Sequence, residues 1–273
     1  MKKILIALLV GGLIATPAYS KTDKTSAEYL KNKKHFSIMN FPAERIAQKI
    51  LRNLIENESG HDFDITLKGY TLSSMRKGIF KYLEIEGENF EVNDINIVYG
   101  NIKTLTDYNW VDYKQNPPIF KTDSTFAYKI RLSEDSINKA LEKKEYQKVL
   151  DNLNNRAYPL FTMNKISIRL KNNKTFIIME YNFPLSPMKN DKKFVVSTDF
   201  KVVENKIIAD NINISSIYGT LQHNKIANLI NGLDPLNYTL TVLNTKKCNA
   251  KVENVKIIDN LVEIDGKIFV EGD

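Results

Sequence analysis

Cysteine and histidine are scarce in this chain. Its 273 residues include one cysteine, Cys248, and three histidines, His35, His61 and His223. A single cysteine cannot form an intramolecular disulfide, so apolar burial must hold the fold, and Cys248 is expected to be a small core or strand residue. The histidines stand at none of the spacings that helical or finger-type zinc sites use. The sequence therefore predicts neither a disulfide scaffold nor a metal site.

Short motifs of catalytic and nucleotide-binding sites are also missing. After residue 20 the chain has no Gly-x-Ser-x-Gly turn, no Gly-x-Gly-x-x-Gly loop and no Gly-Lys-Thr sequence. Ser136 and Lys139 have the Ser-x-x-Lys spacing, but the partner motifs of that enzyme class are absent. Ser133 is better explained as a helix cap, with Glu134 and Asp135 at the positive end of the helix dipole. We expect no catalytic residues and no cofactor.

Apolar runs long enough to cross a bilayer are absent. The apolar stretch at residues 4–14 has about half of the ~20 residues that a transmembrane helix needs. Two lysines precede it, and Ala18 and Ser20 supply small residues for signal peptidase. We therefore expect residues 1–20 to be a cleaved export signal and the protein to work in the periplasm or the extracellular cell envelope.

No Gly-, Ser- or Pro-rich linker divides the rest of the chain. Residues 21–40 are polar and lysine-rich and are predicted to be a flexible lead-in, and residues 41–273 are predicted to be one domain. The net charge is +7, but the basic residues are spread along the chain and form no dense block with aromatics. This pattern argues against nucleic acid as a partner and leaves peripheral contact with an anionic membrane open.

Three amphipathic helices are predicted from apolar residues at spacings of three and four. The first begins near Pro42, which suits a first helical turn, and stops at Gly60. The second begins after Ser133 and ends before Pro159. The third ends at Pro235. These helices are the elements available to cover the apolar face of a sheet.

Alternation of apolar and polar residues predicts strands along the remaining chain. The predicted strands are 63–67, 82–86, 94–97, 126–130, 166–170, 176–178, 194–202, 212–214, 238–242, 252–257 and 262–270. Gly78, Gly87 and Gly100 are expected at turns or bulges, and residues 172–173 and 204–205 in turns between strands. The pattern predicts an α+β fold in which a long antiparallel sheet packs against about three amphipathic helices.

Residues 101–124 break the alternation and are predicted to form a long irregular loop. Pro117 and Pro118 within it exclude a central strand. Tyr108, Trp110 and Tyr113 suit either of two roles. They could form the partly solvated rim of an entrance at a membrane interface, through which a ligand reaches the interior. Alternatively, they could anchor the loop onto the body of the protein.

Four segments resemble a known family, the LmeA-like phospholipid-binding proteins. Residues 78–87 are similar to an early segment of that family in which a small turn is followed by a strand and a glycine. Residues 130–141 are similar to the family's strand that leads into a helix. Residues 226–236 and 262–268 resemble its last helix and terminal strand. The resemblance implies an elongated, tubular lipid-binding-like architecture with a curved sheet and an apolar groove for acyl chains. It also implies a role in envelope lipid transfer or in lipid and glycolipid maintenance.

Candidate lipid-lining residues follow from the predicted apolar faces. They are Phe126, Tyr128, Ile130, Ile137, Leu141, Ile166, Ile168, Phe200, Ile226 and Ile230. The same residues could instead fill an ordinary solid core. In that case the protein would be a non-enzymatic envelope scaffold or interaction protein, with the aromatic segment as its docking surface.

Overall fold

The computed structural model describes residues 40–115, 119–157, 162–182, 192–215, 223–243 and 249–272. The predicted export signal, nearly all of the predicted lead-in and Cys248 lie outside these residues. Within them the chain has an α+β fold dominated by antiparallel sheets, as the sequence predicts. No helix in these ranges is long and apolar enough to cross a membrane.

Six helices occur in the described ranges, against about three predicted. They are α1 (Asn40–Ser59), α2 (Leu72–Arg76), α3 (Glu134–Leu141), α4 (Lys144–Ala157), α5 (His223–Leu233) and α6 (Pro235–Leu243). The predicted second helix is divided after Leu141, because on one continuous helix Leu150, nine residues later, would lie on the opposite side at about 100° per residue. The predicted third helix is divided at Asp234, whose φ of 48° is left-handed, and Pro235 starts α6.

The strands form three antiparallel sheets instead of one long sheet. They are β1 (Phe63–Lys68), β2 (Ile79–Phe80), β3 (Tyr82–Val92), β4 (Ile95–Thr104), β5 (Asn109–Asp112), β6 (Ile119–Phe120), β7 (Ser124–Leu132), β8 (Thr162–Lys171), β9 (Lys174–Asn182), β10 (Lys192–Val203), β11 (Lys206–Ser215), β12 (Asn249–Ile258) and β13 (Leu261–Val270). The six-stranded sheet has the order β1-β3-β4-β7-β13-β12, the four-stranded sheet β11-β10-β9-β8, and the small sheet β2-β5-β6. Strand β12 also contacts β10 and β11, so the two large sheets adjoin on that side.

The prediction of an irregular loop at residues 101–124 is wrong for much of the segment. Strand β4 continues to Thr104, β5 pairs with both β2 and β6, and β7 begins at Ser124. Strands of two and four residues are too short to show an alternating pattern, and their partners are distant in the sequence. Pro117 and Pro118 lie outside the described residues.

The prediction of a strand at residues 238–242 is also wrong, because these residues belong to α6. Tyr238, Leu240 and Val242 do alternate with polar residues, but five residues of alternation fit a helix as well. Pro235 opens the helix, and the buried Thr239 hydroxyl donates to the Pro235 carbonyl oxygen at 2.9 Å. Tertiary packing of α6 therefore decides between the two structures.

Two-residue turns connect four pairs of neighbouring strands. They lie at residues 93–94, 172–173, 204–205 and 259–260, and both residues of each turn have φ between 50° and 64°. Left-handed pairs of this kind match the right-handed twist of the flanking strands, and asparagine and aspartate tolerate them best among residues other than glycine. The predicted turns at 172–173 and 204–205 are confirmed.

Gly87 and Gly100 lie opposite each other within the regular pairing of β3 and β4, and not at turns or bulges as predicted. The ring centroids of Phe63 and Phe90 are 5.1 Å apart beside this pair. A Cβ atom at Gly87 would lie 2.5 Å from the Phe63 ring, and one at Gly100 would lie 2.7 Å from the Phe90 ring. The glycines are needed because the aromatic rings occupy the space of their side chains.

Helix side chains satisfy the edge of the four-stranded sheet at β8. The Asn138 amide of α3 donates to the Ile168 carbonyl oxygen and accepts from the Ile168 N–H, both at 2.8 Å. Asn154 of α4 makes the same two bonds to Met163, at 2.9 and 2.7 Å. An edge strand otherwise presents unpaired backbone groups to other chains. The two amides therefore both attach the helices and close the edge.

Amide side chains act in the same way at two further edges. Asn237 of α6 donates to the Ile207 carbonyl oxygen at 2.8 Å and accepts from the Ile207 N–H at 3.0 Å, on edge strand β11. Gln48 of α1 donates to the Leu67 carbonyl oxygen at 3.1 Å, on edge strand β1 of the six-stranded sheet. Helices α1, α3, α4 and α6 are thus each attached to a strand edge through a side-chain amide.

Candidate functional site

The predicted lipid-lining residues converge in one apolar core. Eight of them are at most 9 % exposed: Phe126, Tyr128, Ile130, Ile137, Leu141, Ile166, Ile168 and Ile230. They come from β7, α3, β8 and α5, so both large sheets contribute to the core. Phe200 is half-buried and packs against this core, and Ile226 lies in α5 with its side chain outside the described part. The structure brings these residues together, and their contact with a lipid stays a prediction.

Helix α3 joins the two large sheets. It contacts β4 of the six-stranded sheet, β8 of the four-stranded sheet, and α6. Ser133 caps the helix by accepting from the Ser136 N–H at 3.2 Å, as the sequence predicts. Ile137 and Leu141 are 0 % and 2 % exposed and point into the core. Because α3 contacts both sheets, its displacement would open the core between them.

Tyr146 of α4 is a buried polar group that the sequence patterns do not identify. Its side chain is completely buried, and its ring centroid lies 4.8 Å from that of Tyr238 in α6. Its hydroxyl oxygen has no hydrogen-bond partner among the described residues. Burial raises the pKa of Tyr146 well above its ordinary value, and the charge of Asp234 adds to the increase. A buried hydroxyl of this kind normally bonds to protein, water or ligand.

The carboxyl group of Asp234 acts electrostatically on this hydroxyl, because its charge raises the pKa of Tyr146. It lies between α5 and α6, is half-buried, and accepts a hydrogen bond from the Asn237 side chain. Burial raises the pKa of Asp234, and the bond from Asn237 and the charge of Lys206 oppose the increase. Tyr146, Asp234 and Tyr238 are called the Tyr146 cluster below. Its only signal in the sequence is a tyrosine on the apolar side of a helix, which alone indicates core packing.

The aromatic segment is divided between the two roles that the sequence leaves open. Tyr108 is buried, with its ring centroid 6.0 Å from that of Tyr70. Trp110 is half-buried and its indole N–H donates to the Lys77 carbonyl oxygen at 3.1 Å. Tyr113 is 53 % exposed. Tyr108 therefore anchors the segment, whereas Tyr113 and the outer part of Trp110 face solvent.

A buried carboxylate lies on the outer face of the six-stranded sheet. The Glu263 side chain is 1 % exposed, and its oxygens lie 2.7 Å from Arg131 Nε, 3.1 Å from Lys256 Nζ and 3.4 Å from Lys129 Nζ. Burial alone would raise the pKa of Glu263, but the bonds from Arg131 and Lys256 and the Lys129 charge lower it below the ordinary value. The three cations keep Glu263 ionised, so this cluster cross-links β7, β13 and β12.

One open surface pocket has only polar and charged lining residues. It has a volume of about 350 Å³ and is lined by Glu91, Asp94, Lys139, Glu142 and Lys143. Lys143 Nζ lies 2.7 Å from the Asn93 carbonyl oxygen and 3.3 Å from Asp94 Oδ2, so part of the charge is paired within the pocket. Such a lining does not suit an acyl chain. No group of His, Cys, Asp and Glu in the described ranges could hold a metal ion.

No relative of this chain is found among known proteins. The chain matches no known protein family, no curated protein and no solved structure.

Proposed function

We propose that the protein binds phospholipid or another acyl lipid in its apolar interior and acts, without catalysis, in lipid transport or maintenance at the cell envelope. The interior is one connected apolar core to which both large sheets and five of the described helices contribute. Burial of an acyl chain there would contribute about 0.8 kcal/mol for each CH₂ group. The resemblance to LmeA-like proteins and the predicted export signal agree with this proposal.

The observation that carries the proposal is the buried Tyr146 hydroxyl. An unsatisfied buried hydroxyl costs about 1–3 kcal/mol, so a protein gains little by keeping one in a core that is always closed. A polar group of a lipid, such as an ester carbonyl oxygen, would accept a hydrogen bond from this hydroxyl. The apolar residues around it would then contact the acyl chains.

The attachment of the helices suggests how the interior becomes accessible. Helices α3 and α4 bury apolar side chains in the core, and at β8 they are held by the side chains of Glu134, Asn138 and Asn154 and not by strand pairing. Side-chain bonds of this kind contribute about 1 kcal/mol each and can break without unravelling a sheet. Movement of these helices would open the core beside the Tyr146 cluster.

The first test is lipid content. We expect the protein, expressed with its own N-terminal segment in a bacterial host and purified, to carry phospholipid detectable by mass spectrometry and to take up a fluorescent phospholipid. Tyr146→Phe should weaken uptake by about fivefold, which corresponds to the loss of one hydrogen bond of about 1 kcal/mol. Thr175→Val, which removes another buried hydroxyl without a partner in the described ranges, is the control and should leave uptake unchanged. Repeated lipid-free preparations that take up no fluorescent lipid would disprove the proposal.

The second candidate is a non-enzymatic envelope scaffold or interaction protein with a solid core. It is favoured by the nearly complete burial of the predicted lining residues and by the exposure of Tyr113. In that case neither Tyr146→Phe nor Thr175→Val would affect any lipid signal. Both would leave stability unchanged or increase it, because each removes a buried polar group without a partner.

A further inference from the structure

Most of the large apolar side chains that are exposed belong to α1, to α2 or to the segments beside β5. Seven large apolar side chains are exposed in the described ranges. Five of them lie in α1, in α2, between β4 and β5, or directly after β5. They are Ile46, Ile50, Leu72, Leu105 and Tyr113, and together they are called the α1–α2 surface. The other two are Val203, the last residue of β10, and Phe269 on β13, which pairs with Thr125 beside Leu105. Scattered single apolar residues are normal, but a group of five requires an explanation.

Specific contacts bring these elements to the same end. Glu44 of α1 accepts from the Gly69 N–H at 2.9 Å, so the first turns of α1 lie beside the end of β1. Met75 of α2 fills the space beside Gly69, where a Cβ would lie 2.4 Å from its side chain. Tyr113 donates its hydroxyl to the Arg76 carbonyl oxygen at the end of α2. Helix α1, α2 and the small sheet are therefore held together here.

Helix α1 has apolar residues on two sides. Ile55 is buried and Leu51 packs against the core, whereas Ile46 and Ile50, one turn apart, are 62 % and 57 % exposed. The two exposed isoleucines have no role in packing the core. Exposed apolar residues one turn apart beside basic residues are typical of helices that lie in a membrane interface.

The charges around this surface are mainly positive. Lys49 and Arg45 flank the exposed isoleucines, Arg76 and Lys77 end α2, and Lys114 follows Tyr113, all of them exposed. Among the carboxylates at this end, Glu44 is bonded to the Gly69 N–H, and Asp112 accepts from the Lys114 N–H at 3.2 Å and from Gln115. Asp107 is exposed. The excess of cations complements an anionic surface and would repel a second copy placed face to face.

We infer that the α1–α2 surface docks on an anionic phospholipid bilayer. Ile46, Ile50 and Tyr113 would lie at the interface, and the cations would lie beside the phosphates of the lipid headgroups. Tyrosine suits this position because its ring is apolar and its hydroxyl is polar. This docking does not depend on lipid in the interior. It would bring the protein to the membrane from which the proposed function draws its lipid.

The test is flotation of the purified protein with vesicles. At about 0.1 M salt, where charges act over about 10 Å, we expect binding to phosphatidylcholine–phosphatidylglycerol vesicles and at least about tenfold weaker binding to phosphatidylcholine vesicles. The double variant Ile46→Ser and Ile50→Ser should lose at least about tenfold in binding to the anionic vesicles, because it removes most of the inserted apolar area. Lys49→Gln with Arg76→Gln should lower binding and reduce its salt dependence.

Val203→Ser is the matched control, since it removes an exposed apolar side chain at the end of β10, and it should bind like the unchanged protein. All of these positions are exposed, and thermal unfolding shows whether each variant is folded. Equal binding to both vesicle types, or unchanged binding of the double isoleucine variant, would overturn the inference. So would a dimer in solution that the same double variant dissociates. Uptake of fluorescent lipid is measured separately, so failure of docking is distinguishable from failure of lipid binding.

Discussion

Helices α1 and α3 place similar isoleucines in opposite environments. Ile137 of α3 is 0 % exposed and lies between the two large sheets, whereas Ile50 of α1 is 57 % exposed. Each helix is attached to a strand edge by a side-chain amide, Asn138 in α3 and Gln48 in α1. The difference arises because α3 has structure on several sides, with β4, β8 and α6 all in contact, whereas α1 packs mainly on β1. An apolar residue on an amphipathic helix is therefore not by itself evidence of a core position.

The contrast between α1 and α3 is tested most strongly by replacing Ile137 and Ile50 with alanine in separate variants. We expect Ile137→Ala to lower the free energy of unfolding by about 2–5 kcal/mol, since it leaves a cavity where the sheets meet. Ile50→Ala should change it by less than about 0.5 kcal/mol, as is usual for exposed positions. Urea denaturation measures both. A loss at Ile50 as large as that at Ile137 would show that α1 is covered in solution.

The amide attachment is tested at Asn138. Asn138→Ala leaves the N–H and the carbonyl oxygen of Ile168 without partners, and we expect it to lower the free energy of unfolding by about 1–3 kcal/mol. Asn152→Ala, an exposed position on α4, is the control and should have almost no effect. Hydrogen exchange of the Ile168 amide should also become faster in Asn138→Ala. Unchanged exchange would mean that the amide does not protect this edge.

A smaller effect is expected at Glu263, a charged group that is buried on the outer face of the six-stranded sheet and outside the apolar core. The folded state lowers the pKa of Glu263 below its ordinary value of 4.5, so ionised Glu263 contributes stability that is present above about pH 4.5 and is lost as the pH falls through the folded-state pKa. Glu263→Gln should therefore be less stable at neutral pH by about 1 kcal/mol. The difference from the unchanged protein should shrink below pH 4.5. Asp265→Asn, on the same face and more exposed, is the control. A difference that does not change with pH would contradict this role of Glu263.

Local patterns predicted many of the elements correctly. The Ser133 cap, the start of α1 near Pro42, and the turns at residues 172–173 and 204–205 depend on neighbouring residues, so they can be read from the sequence. The small sheet could not be predicted, because strands of two to four residues have no period and pair with distant segments. The helix of residues 235–243 was hidden for a related reason, since a five-residue alternation does not distinguish a strand from a helix.

The candidate site was predicted only in part. The apolar faces of β7, α3 and β8 gave residues that do converge in one core, because each face is defined by local periodicity. Tyr146 was not predicted, since the lack of a partner for its hydroxyl depends on how α4, α6 and the sheets pack. The exposure of Ile46 and Ile50 was not predicted either. On the helical pattern alone they are indistinguishable from the buried Ile55.

The sequence by itself determined the α+β class, most of the strands, the starts of α1 and α3 and the absence of the common catalytic motifs, because all of these follow from neighbouring residues. Only the tertiary structure decided which amides satisfy which strand edges, which isoleucines are buried, and where a tyrosine hydroxyl or a glutamate is enclosed. The physical reason is that burial and hydrogen-bond satisfaction depend on groups that are distant in the chain, and these groups meet only when the sheets and helices pack together.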